Sequence, residues 1–284
     1  MKKFVYFLFA LLLVFNFNSF AQTKGKLVII GGRQVTSIVK KYVELAGGSN
    51  AKIIIIPNAG ADPVENSELQ KKEFAELGAA SDYLLFTKET ADADSNLKKL
   101  DGITGVFFLG GDQAILARDM LGTKLLDKIY KFYDNGGLVG GSSAGAAIMS
   151  EVMITGNELV NKDSTVSFVT IEKGNVETIR GFGFLKTVII DQHFLKRKRH
   201  NRTIAALIEH PELIGVAIDE STAIIVYADD TFEVIGDSQV LVYDPTKSKN
   251  IREDESGNLG ISNMKLHVLI KGDRFNLKTK EVIE

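Results

Sequence analysis

Residues 138–150 read LVGGSSAGAAIMS. Gly141-Ser142-Ser143-Ala144-Gly145 stands between the apolar pair Leu138-Val139 and an Ala-rich helical start. This is the pattern G-x-S-x-G in a strand–turn–helix setting, where a tight turn exposes a serine at the carboxyl edge of a sheet. Glycines two positions either side relieve crowding around that serine, and only Ser143 has glycine at both places. The turn also aims the Ala144 N–H and a helix N-terminus at an oxyanion formed by attack on a carbonyl.

Working outward, apolar runs bounded by Gly, Pro or Asn alternate with helix-like stretches as far as about residue 226, the rhythm of βαβ units. Strands are expected at Leu27–Ile30, Lys52–Ile56, Tyr83–Phe86, Val106–Leu109 and Val188–Ile190, with helices at Ser37–Ala46, Ser67–Leu77, Gln113–Met120 and Leu125–Tyr133. Continuous apolar strands of this kind require helices on both faces of a mostly parallel sheet. From Ile214 the pattern changes to short strands, which predicts an antiparallel addition to the same α/β domain, with Asp244–Gly260 as an exposed loop.

A serine at neutral pH needs a base. His193, in Asp191-Gln192-His193-Phe194, follows the buried strand Val188-Ile189-Ile190 and is expected at the sheet edge where the elbow opens. His210 ends a helix before Pro211 and His267 alternates within a strand, so both are weaker rivals. Glu158, Asp219 and Glu220 could each orient the imidazole. Glu158 stands first among them, with Glu220 as the alternative acid. Gly110-Gly111-Asp112-Gln113 ends another strand, where the Gly111 N–H could form the second half of an oxyanion hole. Residues 196–202 read KRKRHNR, a run that is ordinarily a solvated helix face but here follows the proposed base directly. Arginines at this place could bind a carboxylate-rich substrate with two-bond geometry.

Lys2 and Lys3, an apolar run from Phe4 to Phe15 and Ser19-Phe20-Ala21 have the form of a secretory leader cut after Ala21. Residues 22–284 then form one hydrolytic domain, exported to the periplasm or beyond the cell. The apolar run is shorter than the ~20 residues that span a bilayer, so no stable membrane anchor is expected. The formal charge of −2 becomes −4 without Lys2 and Lys3, which argues against nucleic acid as a partner. The absence of cysteine excludes thiol catalysis and thiolate zinc sites, and four histidines are few for a histidine metal site. Gly31-Gly32 lacks the third glycine of a dinucleotide fingerprint, so neither metal nor cofactor is expected. The oligomeric state is left open, a homodimer among the options.

Taken in order, GGDQ, GSSAGAA, DQHFLKRKR with Arg202, and Gly215 to Ala223 resemble the cyanophycinases of the S51 serine peptidase family. The resemblance runs from Leu27 to about Tyr243. It implies a flavodoxin-like sheet related to class I glutamine amidotransferases, with serine in place of their cysteine. It also implies hydrolysis of cyanophycin, a polyaspartate with arginine on each β-carboxyl, to β-aspartyl-arginine. Carried over by position, Ser143 is the nucleophile, His193 the base, and Gln113, Asp191, Gln192, Arg197, Arg199 and Arg202 bind substrate. Two departures stand out: Arg33-Gln34 replaces an expected small residue and acid, and Asn161–Glu177 is longer than usual. Cleavage of small aspartyl or isoaspartyl peptides is the competing activity, and a non-catalytic binding protein on the same fold is the competing class.

Overall fold

The computed structural model describes residues 24–160, 162 and 167–284. The expected leader, residues 1–21, lies outside them. Among the described residues no helix is long and apolar enough to cross a membrane.

The chain runs β1 (Lys26–Ile30), α1 (Thr36–Leu45), β2 (Lys52–Ile56), α2 (Pro63–Glu76), β3 (Ala80–Tyr83), α3 (Asp94–Lys99), β4 (Gly105–Phe108), α4 (Gln113–Met120), α5 (Lys124–Asp134), β5 (Leu138–Ser142) and the single turn α6 (Ala144–Ala147). It continues with β6 (Val152–Glu158), β7 (Val176–Arg180), β8 (Val188–Gln192), α7 (His200–Glu209), β9 (Ile214–Ile218), β10 (Thr222–Val226), β11 (Thr231–Gly236) and β12 (Val240–Asp244). Five short strands complete it: β13 (Lys249–Glu253), β14 (Leu259–Ser262), β15 (Lys265–Leu269), β16 (Arg274–Asn276) and β17 (Glu281–Ile283).

The main sheet has the order β3-β2-β4-β5-β1-β10-β11-β16-β17, parallel from β3 to β1 and antiparallel beyond. The parallel strands are apolar on both faces because both are covered. α1 contributes Ile38, Val39, Tyr42 and Val43 to one layer with Phe74 and Phe107, while α5 and α6 pack in the other. β1 and β5 are neighbours whose following helices lie on opposite faces. A crevice opens at the carboxyl ends of two such strands, the usual ligand position in an open α/β sheet. The α/β class and the parallel sheet with antiparallel C-terminal strands are therefore as expected from sequence.

Three details differ. β8 and β9 do not join the main sheet; they pair in parallel with each other in a second sheet ordered β15-β12-β9-β8. The free edge of β1 is taken instead by β10, with Ile30 opposite Ala223. The expected loop at Asp244–Gly260 holds β13, whose residues are all exposed, in a hairpin with β14. Such a strand is defined by pairing and leaves no burial alternation to read. Strand β3 ends at Tyr83, where the expected strand began, because its polar residues Ser81 and Asp82 pair with β2 at the sheet edge.

Candidate active site

Ser143 follows β5 with φ 56° and ψ −109°, a strained backbone for a residue with a side chain. The strain is held by close approach on both sides. A Cβ on Gly141 would stand 2.4 Å from the Gly145 carbonyl oxygen, and one on Gly145 would stand 2.2 Å from the Phe108 carbonyl oxygen. Only glycine fits at either position, so the spacing in the sequence has a steric cause. Ser142 turns the other way and donates to the Gly32 carbonyl at 3.1 Å.

His193 arrives from the second sheet, one residue beyond β8. Its N–H donates to the Gly31 carbonyl at 2.5 Å, which anchors it to the end of β1. Its Nε2 lies 2.9 Å from Ser143 Oγ, and its Nδ1 lies 2.7 Å from Glu220 Oε1. Glu220 stands in the short link between β9 and β10, where the chain passes from one sheet to the other. The hydrogen-bond chain assigns the proton to Nδ1, donating to the carboxylate, and leaves Nε2 free to accept from the serine. Burial lowers the His193 pKa and the charges of Arg197 and Arg199 add to this, outweighing the opposing effect of Glu220. The imidazole is thus neutral, and able to act as a base, further into acid than an ordinary histidine.

The acid placed first from sequence is corrected. Glu158 ends β6 and accepts from Asn175 Nδ2 at 3.2 Å, while Glu220 occupies the place beside His193. Asp219 faces elsewhere, accepting from the Lys196 N–H and the Ser238 hydroxyl. Of the rival histidines, His210 lies against Glu212 and His267 against Phe275. No described group accepts from the N–H of Ala144 or Gly111. An oxyanion at Ser143 has both as potential donors.

Ser143 opens on a cavity of about 500 Å³ whose lining includes Arg197, Lys198, Arg199 and Arg202 together with Gly111, Asp112, Gln113, Thr155, Gly156 and Asn157. A larger cleft of about 830 Å³, walled by Tyr130, Tyr133, Phe182 and Phe184, contains none of Ser143, His193 or Glu220. The smaller cavity is where the chemistry can occur.

Its arginines are not equivalent. Arg202 is 3% exposed and donates through Nε to Asp191 Oδ2 at 2.9 Å and through Nη2 to Asp191 Oδ1. Thr203 Oγ1 adds a bond of 2.6 Å to the same carboxylate. Burial would raise the Asp191 carboxyl, but the charge and hydrogen bonds of Arg202 outweigh it and hold it below the usual range. Asp191, expected in the pocket, is wholly buried beneath it, and Arg202 is largely committed to this pair. Arg199 donates to the carbonyl and the side-chain oxygen of Gln192, both at 2.8 Å. Burial, and then the charge of Arg202, pushes the Arg199 guanidinium down to about 10. Gln113 Nε2 donates to the carbonyls of Ile154 and Thr155, both at 2.7 Å, which leaves its oxygen for a ligand. Arg197 is exposed in the cavity and is the arginine most open to a substrate.

Sequence reasoning passed over Gly32. A Cβ there would stand 2.4 Å from His193 Nδ1, so the imidazole occupies the space a side chain would fill. The available signal was a glycine pair ending a strand on the same sheet edge as the elbow.

The model of peptidase family S51 matches residues 27–235. The cyanophycinase of Synechococcus elongatus is 34% identical over 272 residues, covering 91% of this chain and 81% of its own. That of a Nostoc species is 33% identical over 271 residues, covering 92% and 88%. Among solved structures, a peptidase from an acI-B1 Actinobacterium superposes with a TM-score of 0.67 at 21% identity, over 90% of this chain and 98% of that one. A putative peptidase E protein from Listeria monocytogenes gives 0.52 at 18% identity, over 76% and 100%, so these two speak for the fold alone. With the family model covering most of the chain and relatives above 30% identity along nearly all of it, the protein belongs to peptidase family S51 and is a serine-type peptidase.

Proposed function

We propose that the protein hydrolyses the aspartate backbone of cyanophycin, multi-L-arginyl-poly-L-aspartate, and releases β-aspartyl-arginine. The observation that carries this reading is the hydrogen-bonded chain Ser143–His193–Glu220 opening on a cavity lined by arginines. In this reading His193 Nε2 takes the hydroxyl proton as Ser143 Oγ attacks the backbone carbonyl, and the new oxyanion accepts from the N–H of Ala144 and Gly111. Glu220 stabilises the imidazolium. Collapse of the tetrahedral species breaks the C–N bond, His193 returns the proton to the leaving amine, and water then resolves the acyl-enzyme by the same route.

Arg197 is an exposed cation of the cavity open to a substrate carboxylate, whereas Arg199 shapes the lining through Gln192. Similarity to curated cyanophycinases along nine-tenths of the chain supports the substrate. We propose further that residues 1–21 direct export and are removed.

The test is incubation of the purified mature chain with cyanophycin and mass analysis of the soluble products. β-Aspartyl-arginine from the parent, and none from Ser143→Ala, is the expected result. Cleavage of aspartyl dipeptides with cyanophycin left intact would replace this substrate with the smaller one.

A further inference from the structure

The cavity beside Ser143 is lined by groups of both charges. Four of them are cations, Arg197, Lys198, Arg199 and Arg202, and among the described residues Asp112 is the only carboxylate that lines it. Asp112 caps α4: its Oδ1 accepts from the Ala114 N–H at 2.8 Å, and no described group donates to its Oδ2. One residue on, Gln113 reaches the Thr155 carbonyl. Glu177 Oε2 accepts from the Thr155 hydroxyl at 2.7 Å and from Asn157 Nδ2 at 2.8 Å. Thr155 and Asn157 both line the cavity, so a second carboxylate is bonded directly to its lining. Two carboxylates thus stand in or next to the lining of a cavity that also holds the arginines.

A bare polyanion has no use for these carboxylates. If cations alone read the substrate, unsubstituted polyaspartate would be the electrostatically preferred ligand, since every carboxylate would meet a positive wall. A β-aspartyl-arginine unit is different, because it carries one carboxylate and one guanidinium and no net charge. We propose that Asp112 is a specificity-determining residue that accepts the cationic side chain of the substrate, with Glu177 reinforcing the negative potential behind it. This rests on the substrate reading above and adds how the arginine branch is read. Asp112 Oδ2 accepts an N–H of the guanidinium while Oδ1 keeps the helix cap. Charge-assisted bonds of this type discriminate by about ten- to a hundredfold against a neutral partner.

Asn caps a helix as well as Asp does, so Asp112→Asn removes the charge and keeps the fold. The experiment measures kcat/KM of the parent and of D112N on two synthetic peptides, a short β-aspartyl-arginine trimer and the same trimer with citrulline, which has the shape of arginine without its charge. The parent should prefer the arginine peptide by about tenfold or more, and D112N should lower kcat/KM on that peptide by a similar factor, bringing the ratio between the peptides close to one. An equal fall on both peptides, or an unchanged ratio, overturns the assignment and leaves Asp112 a helix cap. A parent that cleaves neither peptide overturns the substrate reading together with it. A parent that cleaves both equally well overturns the role of Asp112 alone.

Discussion

At the scale of the residue, the two bonds made by one imidazole organise the site. Orientation of a general base by a carboxylate is worth several orders of magnitude, because the wrong tautomer presents a proton to the nucleophile instead of a lone pair. Glu220→Gln should therefore lower kcat by roughly 10³- to 10⁴-fold, while Glu158→Gln, altered 35 residues away from His193 in the chain and bonded to Asn175, should stay within about threefold. Steady-state rates on one substrate check this, and a dead Glu158→Gln enzyme would restore the acid first expected. The pH profile reports the same residue. In the proposed mechanism neutral His193 is the active form, and its pKa is depressed by burial and by Arg197 and Arg199, so the acid limb of kcat/KM should have its midpoint below the ordinary histidine value of about 6.5. Removing a positive charge makes protonation easier. Arg197→Gln should thus move the midpoint to higher pH, whatever it does to the plateau; a midpoint that stays or moves down would show that this charge does not reach the imidazole.

At the scale of the element, β8 and α7 are joined by more than the chain. The loop 193–199 leaves β8 and α7 starts at His200, which turns Arg202 inward on to Asp191 while Arg197 remains in the cavity. Three arginines spaced by two and three residues in sequence accordingly divide by their place on the loop or the helix. Truncating one partner of a buried ion pair strands the other charge, at a cost of about 3–5 kcal/mol. Arg202→Ala should lose stability of that order in denaturant unfolding, through the abandoned Asp191 carboxylate, whereas Arg197→Ala should leave unfolding within about 0.5 kcal/mol and lower kcat/KM instead. Equal stability of the two variants would remove the distinction drawn between them.

At the scale of the whole molecule, the reacting atoms come from different sheets. Ser143 directly follows a strand of the main sheet, His193 directly follows a strand of the second, and Glu220 lies in the crossing between β9 and β10. The Ser–His distance is therefore set by how the two sheets pack. β8 is the edge strand of its sheet, and on its outer side the Ile190 N–H finds no strand; it donates to the hydroxyl of the fully buried Ser150, just after α6, at 2.8 Å. This bond pins the strand that carries His193 to the segment that carries Ser143. Ser150→Ala leaves a buried N–H unpaired, so stability should fall by about 1–3 kcal/mol, and kcat should fall in parallel as the base loses register with the nucleophile. Unfolding curves and single-turnover rates measure the two effects separately; full activity in a destabilised variant would show that the sheets are held in register by other contacts.

What the sequence by itself determined was local. The elbow at 141–145 is legible because strand, turn and helix follow one another within a few residues and because the glycine spacing answers to steric contacts inside the same turn. The parallel strands are legible because covering a sheet on both faces demands continuous apolar runs. His193 was readable for a related reason, as a polar cluster directly after such a run. Only the tertiary structure decided between Glu158 and Glu220. Both are loop or strand-end carboxylates, and nothing in their neighbours along the chain tells which one a crossing between two sheets brings to 2.7 Å from an imidazole. The same holds for the arginines: whether a guanidinium meets substrate or a buried aspartate depends on the direction of its side chain, set here by the residue at which α7 begins. Asp112 is the third case. Its sequence context shows a helix cap, and only the folded cavity places that cap as the one described carboxylate in a lining that holds four cations.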